Sequence, residues 1–225
     1  MSASLDALAA LVPFLRARRG ATEPGDLLAA DLIADPDRFA AEIAGSAEGR
    51  GSDDPQVLAS LWWQGYSYRS AGTTLAAWVV GGTAPDPAAA AGAGVGVSRS
   101  RPSTAIYGPD APELDDLGAI VERLFEHHLD PLAESLRARH PIGRRLVWGN
   151  AAASVASCLG AVACADGAPD GLAARIDEAT AALPHDVPAL GTWLEPHRSY
   201  RRTTCCLWWK TTASAGALCE DCSLR

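Results

Sequence analysis

Four cysteines near the C-terminus, Cys205, Cys206, Cys219 and Cys222, constrain this chain more than any other feature of its sequence. They fall within eighteen of its 225 residues, so one short segment carries four thiols. The last two have the C-x2-C spacing with which a tight turn presents two thiolates to one metal ion. The first two are adjacent, and adjacent side chains in extended backbone point in opposite directions. We therefore expect irregular backbone at Cys205 and Cys206.

A set of four thiols indicates a soft metal site. A [2Fe–2S] cluster accommodates adjacent cysteines more readily than one tetrahedral zinc ion does, because its four thiolate positions are spread over two irons. A working assignment puts Cys219 and Cys222 on one iron and Cys205 and Cys206 on the other. A structural zinc site and thiol–disulfide exchange at Cys219 and Cys222 are the alternatives. The residues by themselves therefore indicate a redox or zinc site.

Composition and charge limit the class of protein. The chain is 48% hydrophobic and 20% charged, which predicts one compact domain with a full core and a short C-terminal appendage. Its net charge of −8 leaves no basic face large enough for nucleic acid.

The expected compartment is the cytoplasm. The N-terminal arginines follow the first apolar stretch, whereas a signal peptide has its cationic residues before that stretch. The most apolar candidate for a membrane span is broken by Gln64, Tyr68 and Arg69, so we expect no stable membrane insertion. Clustered cysteines in a reducing compartment are more often metal ligands or redox groups than disulfides.

Most of the chain is predicted to be helical. Apolar residues at helical spacing, caps and prolines predict helices over 4–18, 36–44, from Pro55 past Gly72, and over 113–128, 131–139, 142–163 and 170–183. Ser4 is the expected cap of the first helix. Ser52-Asp53-Asp54-Pro55 is a strong start signal for the third.

Regular sheet is expected in one place only. The segment 81–96 is rich in Ala, Gly and Pro and is predicted to be a loop. The runs GVGVSRS and STAIYG that follow predict two strands of a small antiparallel sheet. The expected fold class is α+β, mainly α-helical with a small antiparallel sheet and an irregular C-terminal iron–sulfur segment. Its expected organisation is a helical body over residues 1–198 and a cluster-binding segment over residues 199–225.

The C-terminal motif resembles that of the FhuF-like ferric-siderophore reductases. Their signature is an arginine-rich lead-in, adjacent cysteines, about ten further residues and then C-x2-C. Here Arg201-Arg202-Thr203-Thr204 leads into the adjacent cysteines, and the spacer of twelve residues is slightly longer than the family pattern. The segments SLWWQGY at 60–66 and LVWGN at 146–150 are similar to internal landmarks of the same family.

The resemblance implies a [2Fe–2S] cluster and reduction of a ferric siderophore, with the hydroxamate type favoured. Siderophore oxygens hold Fe(III) tightly and Fe(II) weakly, so one electron makes the iron labile. Because the sequence shows no nicotinamide or flavin motif, the expected electron donor is an external reduced flavin or a ferredoxin-type protein. The family body, residues 1–198, is then the candidate siderophore-binding part.

Several residues near the four cysteines are candidates for contact with a substrate. Arg201, Arg202 and Lys210 are cationic and can steer an anionic chelate or an acidic partner. Trp208 and Trp209 can shield the metal site or form a platform for the substrate. The other two cysteines, Cys158 and Cys164, lie in an apolar predicted helix and are expected in the core.

Two other functions fit the same cysteine motif. One is an iron–sulfur electron carrier or redox sensor that serves a protein partner, and it would show no saturable affinity for ferric siderophores. The other is a binding module that holds a chelate without reducing it. The family resemblance favours the reductase.

Overall fold

Helices make up most of the structure, a computed structural model that describes residues 2–88, 96–98, 104–184, 187, 190–195 and 199–225. This confirms the predicted fold class, mainly helical with small sheets. The α-helices are α1 Ala3–Leu11, α2 Ala29–Ala34, α3 Pro36–Ala44, α4 Ala47–Arg50, α5 Pro55–Ser67, α6 Thr73–Gly81, α7 Leu117–Glu122, α8 Asp130–Arg139, α9 Arg144–Ala163 and α10 Leu172–Ala181. Stretches of π-helix, Tyr68–Gly72 and Arg123–Leu129, join α5 to α6 and α7 to α8.

The strands are short and form small sheets. They are β1 Ala17–Arg19, β2 Asp26–Leu28, β3 Ala84–Pro85, β4 Gly96–Ser98, β5 Ala105–Tyr107, β6 Glu113–Leu114, β7 Gly191–Glu195 and β8 Ser199–Arg202. β4 and β5 pair antiparallel, which confirms the predicted pair, but they belong to a four-stranded sheet of order β1-β5-β4-β2 in which β1 runs parallel to β5. β3 pairs with β6, and β7 pairs with β8.

Some predicted boundaries are wrong at the N-terminus and around residue 113. The first helix ends at Leu11, because Pro13 follows closely and residues 17–19 pair with β5 as a strand. Its cap is Ser2, whose Oγ accepts from the Leu5 N–H at 3.5 Å. The segment predicted to be helical from 113 begins as β6. Part of the predicted loop 81–96 forms β3, and its residues 89–95 lie outside the described ones.

The central core is built from α5, α6 and α9. Asp54 caps α5 by accepting from the N–H groups of Gln56 and Val57, as the start signal predicts. α5 packs along α9, and the Trp63 indole donates to the Val147 carbonyl at 2.8 Å. α9 is long and apolar enough to cross a membrane by length and composition, with a mean hydropathy of 1.5, yet most of it is buried inside the protein. It therefore serves here as a core helix.

His127 and His128 lie inside a continuous helical stretch. His128 lies inside the π-helical stretch, which continues directly into α8. It is buried and its Nε2 lies 3.1 Å from the Tyr66 hydroxyl. Burial lowers the pKa of His128 to about 4, so this histidine is a neutral core residue at pH 7.

Candidate metal centre

Irregular backbone carries the adjacent cysteines, as expected from their spacing. β8 ends at Arg202, and residues 205–207 form neither helix nor strand. Leu207 has a left-handed conformation with φ 68°, which turns the chain sharply after Cys206. The segment lies directly on α9 at Gly149, where a Cβ atom would come within 2.0 Å of the Thr204 hydroxyl oxygen. The close approach of the segment therefore requires a glycine in the helix.

The four predicted ligands come from two loops that meet. The Sγ atoms of Cys206 and Cys219 are 3.5 Å apart. The Cys222 N–H donates to the Cys219 carbonyl at 3.2 Å, and Cys205 precedes Cys206 directly, so the two loops bring the four cysteines into one region. Cys206 and Cys222 are buried, whereas Cys205 and Cys219 are half-buried. Within the described ranges, however, no three side chains of His, Cys, Asp or Glu are close enough together to form a group that could hold one metal ion.

Backbone N–H groups point at the sulfurs in a repeated pattern. The Leu207 N–H lies 3.4 Å from the Cys205 Sγ, and the Leu224 N–H lies 3.4 Å from the Cys222 Sγ. The Trp208 N–H makes the corresponding hydrogen bond to Cys206. In each case the donor is two residues after the cysteine. Such bonds stabilise thiolates and tune the potential of iron–sulfur centres.

The two closest thiols, those of Cys206 and Cys219, have pKa values that shift in opposite directions. The hydrogen bond from the Cys219 thiol, assisted by the charge of Arg202, lowers the pKa of Cys206. The same contact and burial raise the pKa of Cys219. Burial raises the pKa of Cys205 as well. One thiolate therefore forms readily at this pair, and a bound cation would favour deprotonation of the rest.

Arg202 is a structural residue, and its predicted contact with substrate is wrong. Its side chain is 0% exposed, so no chelate or partner can reach it. Its Nε donates to the Asp221 carboxylate at 2.7 Å, and Nη2 contacts the same oxygen. Its Nη1 donates to Asn150 Oδ1 at 2.9 Å. Arg202 thus ties the strand before Cys205 to the turn between Cys219 and Cys222 and to helix α9.

The two internal segments on which the family resemblance rests meet at this network. Asn150, in LVWGN, donates from Nδ2 to both the carbonyl and the hydroxyl of Ser60 at 2.9 Å. Ser60, the first residue of SLWWQGY, donates from Oγ to the Cys206 carbonyl at 2.8 Å. All these groups are buried. A continuous chain of hydrogen bonds therefore runs from the core helices to both cysteine loops.

The other predicted contact residues lie at the surface or partly so. Arg201 is exposed. Lys210 Nζ lies 4.0 Å from an Asp54 carboxylate oxygen and 5.9 Å from the centre of the Trp209 ring. Trp209 is 43% exposed. Trp208 is half-buried and packs in a small apolar cluster that includes Cys206, so it shields that thiol.

The two remaining cysteines differ from each other. Cys158 is buried in the core as predicted, and burial raises the pKa of its thiol. Its Sγ lies 3.5 Å from the Tyr68 carbonyl oxygen. Cys164 is exposed, because α9 ends there and the thiol lies beyond the packed part of the helix. The prediction that it is a core residue is wrong.

A pocket of about 380 Å³ opens beside the two closest thiols. Its wall includes Cys206, Cys219 and Trp208 from the C-terminal loops, together with Arg50 and Gly65. The volume lies within the range of about 300–1,000 Å³ that is usual for small-molecule sites. Arg50 and Gly65 are not among the residues that the sequence predicts for this site. The local signal nearest to them in the sequence is Arg69, a charge that interrupts the most apolar helical stretch.

Comparison of the chain with models of known protein families and with curated proteins gives no match. The resemblance to FhuF-like reductases therefore rests on the motif residues and stays a prediction.

Proposed function

We propose that this protein is a ferric-siderophore reductase whose four C-terminal cysteines hold a [2Fe–2S] cluster. One observation carries the proposal: the two loops bring Cys206 and Cys219 to a 3.5 Å contact, and both thiols lie in the wall of a pocket of suitable size. A ligand in that pocket would sit next to the sulfur atoms of the metal site. The FhuF-like motif supports the assignment of the chemistry.

The donor set suits two irons. Two thiolates on one tetrahedral metal ion, each bound at about 2.3 Å, lie about 3.8 Å apart. The contact between Cys206 and Cys219 is close to that separation. With these two thiolates on one ion, Cys205 and Cys222 remain for the other. This favours Cys206 with Cys219 on one iron and Cys205 with Cys222 on the other, a different pairing from the one the sequence suggested. A two-iron centre needs only two thiolates at each ion, whereas a structural zinc site needs four donors around one.

The chain's own residues would protect and tune the bound group. When bound, such a cluster supplies single electrons, and one electron converts a tightly chelated Fe(III) into a weakly held Fe(II) that leaves the siderophore. Trp208 covers Cys206 and limits the access of water. The N–H groups directed at the sulfurs stabilise their negative charge. An external reduced flavin or ferredoxin-type protein would restore the electron.

Metal analysis tests the proposed cofactor. Protein purified anaerobically should contain about two irons and two acid-labile sulfides per chain. Cys219→Ala should remove both together with the visible absorbance, whereas Cys158→Ala should keep them and lose only packing energy. Stoichiometric zinc without sulfide, or loss of iron in the Cys158→Ala variant, would contradict the proposal.

A single-turnover reaction tests the activity. Chemically reduced protein is mixed anaerobically with a ferric hydroxamate siderophore and a ferrous trap. The protein should be reoxidised, and Fe(II) should appear in the trap at the same rate. One Fe(II) should form for each electron that the protein loses. Cys219→Ala protein provides the matched blank. If reduced protein persists with several chemically distinct ferric siderophores but is oxidised rapidly by a protein acceptor, the reductase proposal fails and the electron carrier replaces it.

A further inference from the structure

The wall of the pocket beside Cys206 and Cys219 carries positive charge, and none of its described residues is a carboxylate. Arg50 lies in the wall itself. Arg69 lies one helical turn beyond Gly65, and a Cβ atom on Gly65 would be 3.3 Å from its Nη2. Gly65 also lines the pocket and has no side chain, so no Gly65 Cβ separates the Arg69 guanidinium from the pocket.

The two guanidinium groups lack partners in the part of the chain that the structure describes. Neither Arg50 nor Arg69 forms an ion pair or donates a hydrogen bond there, and the Arg69 Nε is buried without a partner. Burial, and then the charge of Arg69, lower the pKa of Arg50, and burial likewise lowers the pKa of Arg69. Two like charges are thus held close together and partly out of water.

Three other arginines that are partly or fully removed from solvent have a carboxylate partner. Arg18 pairs with Asp26, Arg19 with Glu113, and the fully buried Arg202 with Asp221. Keeping an unpaired charge away from water costs free energy, and a folded protein normally avoids it. In a chain of net charge −8 carboxylates are plentiful, yet none lines this pocket among the described residues. Thiolates at Cys206 and Cys219 offset part of the positive charge, and an anionic ligand in the pocket would make direct ion pairs that no carboxylate of the wall makes.

We propose that Arg50 and Arg69 form an anion-binding site that receives a negatively charged ferric chelate beside Cys206 and Cys219. This inference rests on the proposed function and names its substrate class. Fe(III) with three hydroxamates is neutral, whereas Fe(III) with three catecholates or with citrate carries net negative charge. Guanidinium groups bind such oxygens bidentately. The site therefore binds catecholate or carboxylate chelates more tightly than the neutral hydroxamate chelates to which the family resemblance points, which can still react at higher concentration.

Gallium chelates separate binding from electron transfer, because Ga(III) copies the charge and shape of Fe(III) chelates but is not reduced. Affinities of the cluster-loaded protein for Ga(III) tris-catecholate, Ga(III) citrate and neutral Ga(III) tris-hydroxamate would be measured by titration calorimetry. The variants are Arg50→Met and Arg69→Met, with Arg50→Lys and Arg69→Lys to retain the charge. Arg145→Met, an exposed arginine at the start of α9, is the control. Thermal unfolding and the visible spectrum report whether each variant is intact.

The anionic chelates should bind saturably and more weakly as salt is raised. Arg50→Met and Arg69→Met should each raise their Kd by about tenfold or more, the lysine variants should raise it less, and Arg145→Met should leave it unchanged. Should Arg69→Met fail to fold, Arg69→Lys and Arg50→Met still decide the matter. Equal affinity for neutral and anionic chelates, or equal Kd values in the Arg50→Met and Arg145→Met proteins, overturns the inference.

The two proposals can fail separately. If anionic Ga(III) chelates bind through the two arginines but no ferric chelate reoxidises the reduced protein, the anion site stands and the reductase fails. If ferric hydroxamates reoxidise the protein equally well with and without Arg50 and Arg69, and anionic chelates do not bind, the reductase stands and the anion site is refuted. Binding of an acidic protein instead of the chelates would also refute it.

Discussion

Replacing Arg202 by methionine should destabilise the protein strongly, because this side chain connects the cysteine loops to the core. Methionine keeps an unbranched apolar stem of similar length but removes every donor. The hydrogen bonds to Asp221 and Asn150 would be lost together. The Asp221 carboxylate and the Asn150 amide oxygen would each lose the hydrogen-bond donor that Arg202 now supplies.

The loss of stability in Arg202→Met can be estimated from the contacts that Arg202 makes. Breaking a buried ion pair by removing one partner costs about 3–5 kcal/mol, since the other charge is left uncompensated. The Asp221 side chain is 24% exposed, so water recovers part of that penalty. The lost bond to Asn150 adds about 1 kcal/mol. We expect a decrease of about 3–4 kcal/mol in the free energy of unfolding, which is a large part of the about 5–15 kcal/mol typical of a domain.

Urea unfolding followed by tryptophan fluorescence measures this effect, under anaerobic conditions with a thiol reductant. With a slope of about 2–3 kcal/mol per molar urea, the midpoint should fall by about 1–2 M. The matched control is Arg201→Met, since that neighbour is exposed and its loss should change stability by less than about 0.5 kcal/mol. Arg202→Lys should also be destabilised, because lysine cannot reproduce the forked contact.

A double variant checks the cause. In Arg202→Met with Asp221→Leu no charge is left unpaired, so part of the lost stability should return. Equal urea midpoints for Arg202→Met and Arg201→Met would refute the structural role of Arg202. Normal stability combined with weaker chelate binding in Arg202→Met would instead restore the role in substrate contact that the sequence suggested.

Three further outcomes are expected. Mild oxidation of the metal-free protein should first join Cys206 to Cys219, which mass spectrometry of peptides can map, and a first disulfide elsewhere would contradict the 3.5 Å contact. The free energy of unfolding should fall by up to about 3 kcal/mol as the pH drops from 6.5 towards 4. The pKa of His128 is about 4 in the folded protein and about 6.5 in the unfolded chain, so the unfolded chain takes up the proton first. Chemical unfolding measured across this pH range should show a smaller decrease in the His128→Gln variant. Gly149→Ala should lower the free energy of unfolding by about 1–3 kcal/mol and reduce the iron content, because α9 contacts the segment before the adjacent cysteines at this glycine. The control is Gly143→Ala, which has open space around its Cα and should match the wild type in both measurements.

Local chemistry made much of the fold predictable from the sequence. Asp54 and Pro55 define the start of α5 wherever the helix later packs, because a cap and a proline act on their own first turn. The β4 and β5 pair follows from strand propensity and close spacing along the chain. The irregular backbone at Cys205 and Cys206 follows from the opposite directions of adjacent side chains in a strand. Each of these predictions concerns neighbours in sequence.

The predictions that were wrong concern features that depend on residues distant in the sequence. The first helix was predicted too long because residues 17–19 are recruited as a strand by β5, almost ninety residues later. Cys164 was placed in the core because its sequence neighbours are apolar, yet α9 ends there and leaves it exposed. The antiparallel pairing of β7 with β8, the strand that leads into the cysteine segment, has no strong local signal and was not predicted.

The sequence by itself determined that four thiols lie in one segment, and with them the soft chemistry of the site. Only the tertiary structure decided which thiols meet, which arginine is fully buried and which two arginines have no ion-pair partner among the described residues. Arg201 and Arg202 are adjacent in sequence, but alternation along β8 sends one to solvent and the other to Asn150 and Asp221. Arg50 and Arg69 come together beside Cys206 only because α4, α5 and the C-terminal loops pack against one another. Charge and reactivity belong to single residues, whereas desolvation and pairing depend on every neighbour that folding supplies.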